Sequence, residues 1–235
     1  MKKSILGLSG NQLKILAVIF MTIDHVGLYL FPGESIFRII GRFAFPIFAY
    51  TLSEGCKYTK NRWRYFFVLL IVGVLCQVVY SYVTQSLYQN IFITLSLSVL
   101  LVYSFDFADK HKNIIGFFIS SVVLLGIFYI CYILPRHIGY GFAIDYGFFG
   151  VMLPVLIYMG KNKQEKLFLL SAGLLILASS LGTIQLFSIC VVPIIALYNG
   201  KRGKWHMKNF FYIYYPLHLV VIYFLGIFLR SKNIL

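Results

Sequence analysis

Residues 13–31 read LKILAVIFMTIDHVGLYLF, a run in which nearly every side chain is apolar. A bilayer core of ~30 Å needs ~20 helical residues, so this run is long enough to cross a membrane as one helix. Asp24 and His25 interrupt it. Ionisable groups inside a membrane are costly unless they pair or face a polar cavity. The run therefore predicts a membrane helix that carries a polar site.

The rest of the chain repeats this apolar pattern. Of the 235 residues, 60% are hydrophobic and 12% are charged, and the mean hydropathy of +0.85 excludes an ordinary soluble domain. No linker, low-complexity segment or internal repeat divides the chain. We expect one all-α domain over residues 1–235, a polytopic transmembrane helical bundle. Its nine predicted spans are 13–31, 37–55, 65–83, 90–105, 114–134, 145–160, 167–181, 184–199 and 209–229.

The net charge of +14 is explained by the membrane rather than by nucleic acid. Most of the Lys and Arg residues lie in short clusters between apolar runs, and a cytoplasmic N-terminus puts most of them on the inside. The N-terminus also lacks the cleavage site of a removable signal peptide, so we expect the first helix to remain as an anchor. These inner residues are Lys2, Lys3, Lys57, Lys60, Arg62, Arg64, Lys110, Lys112, Lys161, Lys163, Lys166, Lys201, Arg202, Lys204 and Lys208.

The four cysteines give no sign of a metal site or of disulfides. Cys56, Cys76, Cys131 and Cys190 lie in or beside apolar runs, without CxxC or Cys/His ligand spacing. We interpret them as small buried hydrophobic side chains.

The ionisable groups of different spans fall at similar depths. His25 lies about 9 Å from the outer end of the first span, and Arg42 roughly 8 Å from that of the second. Asp145 begins the sixth span on the same side, and His218 lies roughly 14 Å into the ninth, near the midplane. We therefore predict one polar chamber that these residues line, with Arg42 or His218 as the partner of Asp24.

Structural explanations stay open for each of these residues. Asp24 and Arg42 are also what a buried ion pair that fixes helix packing would need. His25 would also be explained by a hydrogen bond to a neighbouring backbone group. His218 follows Pro216, which frees a backbone carbonyl that a histidine can bond.

Five segments together resemble the TraX family of membrane proteins, whose namesake acetylates the N-terminus of pilin. The resemblance rests on combinations such as IDH, GRFAFPIF, DYG and YPLH in the family's order. The segments run from near the N-terminus to near the C-terminus. They are LKILAVIFMTIDHVG (13–27), FRIIGRFAFPIFAYTLSEGCKYTKNRWRY (37–65), NIFITLSLSVLLVY (90–103), DYGFFGVMLPVLIY (145–158) and FYIYYPLHLVVIYFL (211–225).

The resemblance implies an acyltransferase in a bacterial inner or plasma membrane. It would move an acetyl group from acetyl-CoA to an amine or hydroxyl of an acceptor whose identity the sequence does not give, such as a peptide N-terminus, a sugar or a lipid headgroup. The family's pattern falls on Asp24, His25, Gly41, Arg42, Pro46, Glu54, Thr94, Asp145, Tyr146, Gly147 and His218.

Acetyl transfer assigns roles to these residues. It needs a base for the acceptor's proton and a positive or hydrogen-bonding group for the acetyl oxygen. We predict a catalytic group of His25, Asp24, Arg42 and His218, with either histidine as the base. Asp145, Tyr146, Glu54 and Thr94 are predicted to bind substrate, and the phosphates of acetyl-CoA to meet Lys57, Lys60, Arg62 and Arg64.

Two other classes of function fit some of the same residues. A proton-coupled transporter or channel would use Asp24, His25, Arg42 and His218 as a relay. It would need polar groups at several depths, whereas the inner halves of most spans are apolar. An assembly subunit would use the charges only to fix helix packing.

Overall fold

The protein is predominantly helical in the computed structural model, which describes residues 7–204 and 208–232. Lys2 and Lys3 of the predicted inner charges lie outside the described residues. The first six helices are α1 Gly10–Tyr29, α2 Ser35–Gly41, α3 Ala44–Tyr58, α4 Arg62–Thr84, α5 Ile91–His111 and α6 Ile114–Phe128. A π-helical turn, Tyr129–Ile133, joins α6 to α7, Pro135–Ile138. The remaining helices are α8 Gly147–Met159, α9 Lys163–Leu181, a 3₁₀ segment Thr183–Val191, α10 Val192–Ala196 and α11 Lys208–Ser231.

Seven helical segments are long and apolar enough to cross a membrane. They are Gly10–Tyr29, Ser35–Tyr58, Arg62–Thr84, Ile91–His111, Ile114–Ile138, Lys163–Leu181 and Phe210–Ser231. These segments confirm the prediction of a polytopic helical membrane protein. The predicted spans 145–160 and 184–199 correspond to the shorter apolar helices Gly147–Met159 and Thr183–Ala196.

Apolar side chains cover the outside of several helices, as lipid contact requires. On α4, Ile71, Leu75, Val78 and Tyr82 are exposed, and their spacing of three or four residues puts them on one face. The opposite case is α5, where Val99, Leu101 and Val102 are completely buried. α4 therefore presents a face to lipid, while α5 is a central helix.

The helices form two compact units. The first comprises the chain up to Thr51 and from Leu181 onward, and in it α1 packs against α2 and α11. The second comprises Leu52–Ser180, in which α5 packs against α4, α6 and α8. The boundary falls inside α3. A single domain over residues 1–235 stays a prediction.

Two glycines allow α1 and α2 to approach closely in the first unit. A Cβ atom on Gly27 of α1 would overlap the side chain of Phe37 on α2. A Cβ atom on Gly41 of α2 would overlap the carboxylate of Asp24 on α1. The short distance between the two helices brings Asp24 within reach of the α2 side chains.

In the second unit a short parallel pair of strands positions the start of α8. β1, Tyr88–Gln89, pairs with β2, Ala143–Ile144. The chain leaves β2 through Tyr146, whose φ of 58° lies in the left-handed region that few residues other than glycine adopt. Gly147, with a φ of 57°, then begins α8. The DYG segment therefore forms a tight turn.

Candidate functional site

Two histidines from the first and last helices meet in the first unit. The Nδ1 atom of His25 on α1 lies 2.8 Å from the Nε2 atom of His218 on α11. The Nδ1 atom of His218 lies 3.0 Å from the carbonyl oxygen of Tyr214, and only 5% of His218 is exposed. The backbone bond considered for His218 is therefore present, and the residue binds His25 as well.

These contacts allow a proton to be assigned to one nitrogen of each neutral ring, and the backbone of Met21 is a further hydrogen-bond partner of His25. A carbonyl oxygen only accepts hydrogen bonds, so Nδ1 of His218 donates its proton to Tyr214. Nε2 of His218 then carries a lone pair and accepts the proton of His25 Nδ1. The lone pair of His25 is left on Nε2. A backbone carbonyl thus sets the tautomer of His25 through His218, as an acceptor does for the base of a catalytic triad.

Aromatic and hydroxyl groups hold the histidine pair in place. The ring of Tyr214 stacks on that of His218 with centroids 5.2 Å apart and an interplanar angle of 8°. The hydroxyl of Tyr214 lies 2.8 Å from Oγ1 of Thr22 on α1, and Thr22 donates to the carbonyl of Val18. Tyr29 stacks on His25 with centroids 6.2 Å apart. The pair therefore has fixed neighbours on both helices.

Asp24 binds two arginines of the second predicted span. Its Oδ2 atom accepts from Nη1 of Arg38 at 2.6 Å, and its Oδ1 atom accepts from Nη2 of Arg42 at 2.9 Å. The side chains of Asp24 and Arg42 are each 15% exposed, and that of Arg38 is 30% exposed. The predicted pairing of Asp24 with Arg42 is confirmed, and Arg38 is an additional partner.

The arginines are coupled to the histidine pair. Both Arg38 and Arg42 interact electrostatically with His25. Arg42 also donates through Nε to the carbonyl of Arg38 at 3.3 Å and through Nη1 to Oε1 of Gln185 at 3.5 Å. Two guanidinium groups against one carboxylate leave this cluster with one excess positive charge. The first unit thus places a histidine pair and a cluster with two guanidinium groups together.

The predicted substrate residues Asp145 and Thr94 lie in the second unit, where they contact each other. Thr94 on α5 donates to the backbone carbonyl of Asp145 at 2.8 Å, and the Tyr88 hydroxyl donates to its Oδ1 atom at 2.8 Å. Burial, followed by the charge of Asp145, raises the pKa of Tyr88. Tyr88 therefore stays a proton donor, and this group fixes the DYG turn. A role for Asp145, Tyr146 and Thr94 in binding substrate stays a prediction.

Glu54, another predicted substrate residue, has a buried ionic partner in the second unit. Its Oε1 atom accepts a hydrogen bond from Nζ of Lys166 on α9. Only 12% of the Glu54 side chain and 6% of the Lys166 side chain are exposed. The pair is an internal ionic link between α3 and α9.

The residues predicted to bind phosphate differ in their surroundings. Lys57, Lys60 and Arg64 are exposed at the end of α3 and the start of α4. Arg62 instead forms an ion pair with Asp106, whose carboxylate also lies 3.0 Å from Nζ of Lys110. The three exposed cations suit a polyphosphate ligand, whereas Arg62 already has a carboxylate partner.

Sequence reasoning did not find Arg38, Gln185 or Lys166. The spacing of Arg38 and Arg42 could have revealed the first, because residues four apart lie on the same face of a helix. Gln185 is one polar residue in an apolar segment, with no partner nearby in sequence. Lys166 was assigned to the inner positive charges because it lies in a basic segment.

A comparison with models of protein families gives one family for this chain. A family model described as "TraX protein" matches residues 9–226. Protein RP591 of Rickettsia prowazekii (strain Madrid E) is 33% identical over 162 residues, which are 67% of this chain and 58% of that protein. The chain thus spans less than two thirds of that relative. The "Probable fimbrial assembly protein FimC, serogroup H1" of Dichelobacter nodosus is 26% identical over 94% of this chain and 97% of its own length. No solved structure matches the chain significantly.

Proposed function

We propose, from the premise that the chain belongs to the TraX family, that this multi-pass membrane protein is an acetyltransferase. It would move an acetyl group from acetyl-CoA to an amine or hydroxyl of an acceptor. The observation that carries the proposal is the hydrogen bond between His25 and His218, which leaves a lone pair on Nε2 of His25. A neutral imidazole held in one tautomer by a buried partner is what a general base requires.

In this proposal His25 takes the proton of the acceptor. Nε2 of His25 receives that proton as the acceptor's nitrogen or oxygen forms its bond to the acetyl carbon. Nδ1 of His25 keeps its own proton, which His218 accepts and stabilises. The excess positive charge of the Asp24, Arg38 and Arg42 cluster favours negative charge on an oxygen nearby. His25 then returns the proton to the departing thiolate.

Acetyl-CoA would supply an acyl group already activated as a thioester, together with phosphates that need cationic partners. Lys57, Lys60 and Arg64 fit the phosphates because they are exposed and clustered. We leave Arg62 out of this group because its guanidinium binds Asp106. Phosphate binding in the second unit is a separate part of the proposal.

The acceptor is proposed by comparison with a relative. The Dichelobacter nodosus protein carries a name that refers to fimbrial assembly, and it aligns with nearly the whole chain. We propose that the acceptor here is the N-terminal amine of a subunit of a surface fibre. An amine has to lose a proton as its nitrogen bonds to the acyl carbon, which matches the proposed role of His25.

The test is acetyl transfer by the detergent-purified protein from radiolabelled acetyl-CoA to peptides with free or blocked N-termini. The wild type is expected to label only the free amine, and His25→Ala is expected to lose this activity while it still binds acetyl-CoA in calorimetry. His111→Ala is the matched control, since His111 is exposed and lies at the end of α5. Full transfer by His25→Ala would exclude His25 as the base.

A proton relay is the second candidate, because the contact of 2.8 Å between His25 and His218 would also pass a proton. The two functions predict different results in proteoliposomes. A relay moves protons in the absence of acetyl-CoA and stops when either histidine is replaced. The acetyltransferase moves none under those conditions.

A further inference from the structure

Gln185 is a buried polar side chain that the proposed reaction does not use. It lies on the 3₁₀ segment after Gly182, and only 2% of it is exposed. Its Oε1 atom accepts from Nη1 of Arg42 at 3.5 Å. Among residues 7–204 and 208–232, its Nε2 atom has no hydrogen-bond partner. A buried N–H group without a partner is rare in native proteins and calls for an explanation.

The orientation of this amide is fixed by its neighbour. Turning the amide over would set its NH₂ group against the donating Nη1 of Arg42, so the oxygen must face Arg42. The backbone around it is also held, because Gln185 donates its N–H to Gly182 and accepts from Oγ of Ser188 at 2.6 Å. The two Nε2 protons therefore point away from Arg42 in a preset direction.

The charges nearby indicate which acceptor would suit these protons. In the contacts described above, the single carboxylate of Asp24 faces the two guanidinium groups of Arg38 and Arg42. Arg38 is the more exposed of the two, at 30% of its side chain, so the cluster is accessible from outside. An anionic oxygen would accept a hydrogen bond from Nε2 of Gln185 and would also balance the excess positive charge of the two guanidinium groups. A neutral acceptor would leave that charge unbalanced.

We propose that Gln185, together with Arg38 and Arg42, forms a binding site for an anionic oxygen of a ligand, of the carboxylate type. This proposal depends on the proposed function only in naming the molecule that supplies the oxygen. One source is a carboxylate of the acceptor. The other is the acetyl oxygen as it gains negative charge.

The experiment measures the melting temperature of the detergent-purified protein during titration with sodium acetate, against sodium chloride at equal ionic strength. Acetate is expected to raise the melting temperature saturably in the wild type. Gln185→Met, which keeps the shape but not the N–H groups, is expected to bind acetate about tenfold to a hundredfold more weakly. Gln164→Met, at an exposed position of α9, should behave like the wild type.

Stability without acetate separates a binding role from a structural one. Gln185→Met removes the unpartnered buried N–H but also the Oε1 atom to which Arg42 donates, so the two effects on its melting temperature oppose each other. Stability is therefore judged on Gln185→Glu, which loses the N–H groups but keeps an oxygen for Arg42. A melting temperature of Gln185→Glu below that of the wild type would mean that Nε2 has a partner within the protein and would overturn the proposal. Gln185→Glu also places its own carboxylate beside Arg42. It should be stable and insensitive to acetate, and an undiminished acetate response in either variant would also overturn the proposal.

The source of the oxygen is tested by measuring the hydrolysis of acetyl-CoA by the protein in the absence of an acceptor. If Gln185→Met lowers kcat for hydrolysis, the site binds the acetyl oxygen, whereas unchanged hydrolysis with lost acetate binding indicates a carboxylate of the acceptor. A wild type that responds to acetate but neither binds nor hydrolyses acetyl-CoA would refute the acetyltransferase and leave the anion site standing.

Discussion

Glu54→Gln should destabilise the protein more than the same substitution at an exposed glutamate. It removes the negative partner of Lys166, whose side chain is 6% exposed, and leaves a buried ammonium without a counter-charge. Breaking a buried ion pair from one side costs about 3–5 kcal/mol. Because both side chains are well buried, solvent screening reduces this figure little. In a chain of 235 residues, the loss corresponds to a fall in Tm of about 6–20 °C.

The assay is thermal unfolding in detergent, followed by circular dichroism, for a complete set of variants. Lys166→Met alone should cost as much as Glu54→Gln, since it leaves the carboxylate uncompensated. The double variant removes both charges and should be more stable than either single variant. Glu34→Gln is the control, because Glu34 is exposed. A loss under about 1 kcal/mol for Glu54→Gln, or additive effects in the double variant, would refute the role given to this pair.

Three further predictions concern other contacts. His218→Phe keeps an aromatic ring but removes the acceptor that sets the tautomer of His25, so the acetyl-transfer rate should fall about 100-fold or more with little change in KM. Gly41→Ala puts a methyl group into the carboxylate that bridges α1 and α2, and should lower the free energy of unfolding by about 1–3 kcal/mol. Tyr88→Phe removes one hydrogen bond and should cost about 0.5–1.5 kcal/mol. Because the pKa of Tyr88 is raised on folding, this contribution is constant below pH ~10 and declines above it.

Each of these predictions has a matched comparison. Gly33→Ala should be nearly neutral, since a Cβ atom there meets nothing within 4 Å. Equal melting temperatures for the two alanine variants would contradict the packing described for Gly41. For Tyr88, urea titrations from pH 7 to 11 should show that the difference in free energy of unfolding between the wild type and Tyr88→Phe becomes smaller. A difference that grows with pH would contradict the raised pKa of Tyr88. An unchanged rate in His218→Phe would show that His25 needs no orienting partner.

The membrane spans were largely predictable because they depend on composition over long windows. Apolar runs of about 20 residues have few other structures available in lipid. Span ends were less certain, as α1 shows. It begins at Gly10 with a capping box between Ser9 and Gln12, three residues before the apolar run. Hydropathy does not detect such polar caps.

The sequence predicted residues that form the site, but not which of them contact each other. The cost of burying charge marked Asp24, His25, Arg42 and His218, and the structure brings all four into the first unit. That Asp24 faces the arginines while His25 faces His218 depends on the rotation of α1, which sequence spacing alone does not fix. Gln185 was not predictable, because its significance lies in an N–H group whose surroundings come from distant segments.

The first unit is built from both ends of the chain, and this sets when the histidine pair comes into being. His25 enters the membrane with the first helix, but its partner lies 193 residues later. At a synthesis rate of about 5–20 residues per second, roughly 10–40 s pass before His218 is made. Leu52–Ser180 is continuous and is complete before then. A nascent or truncated chain thus contains His25 without its His218 partner, and the histidine pair exists only in a protein whose synthesis has reached α11.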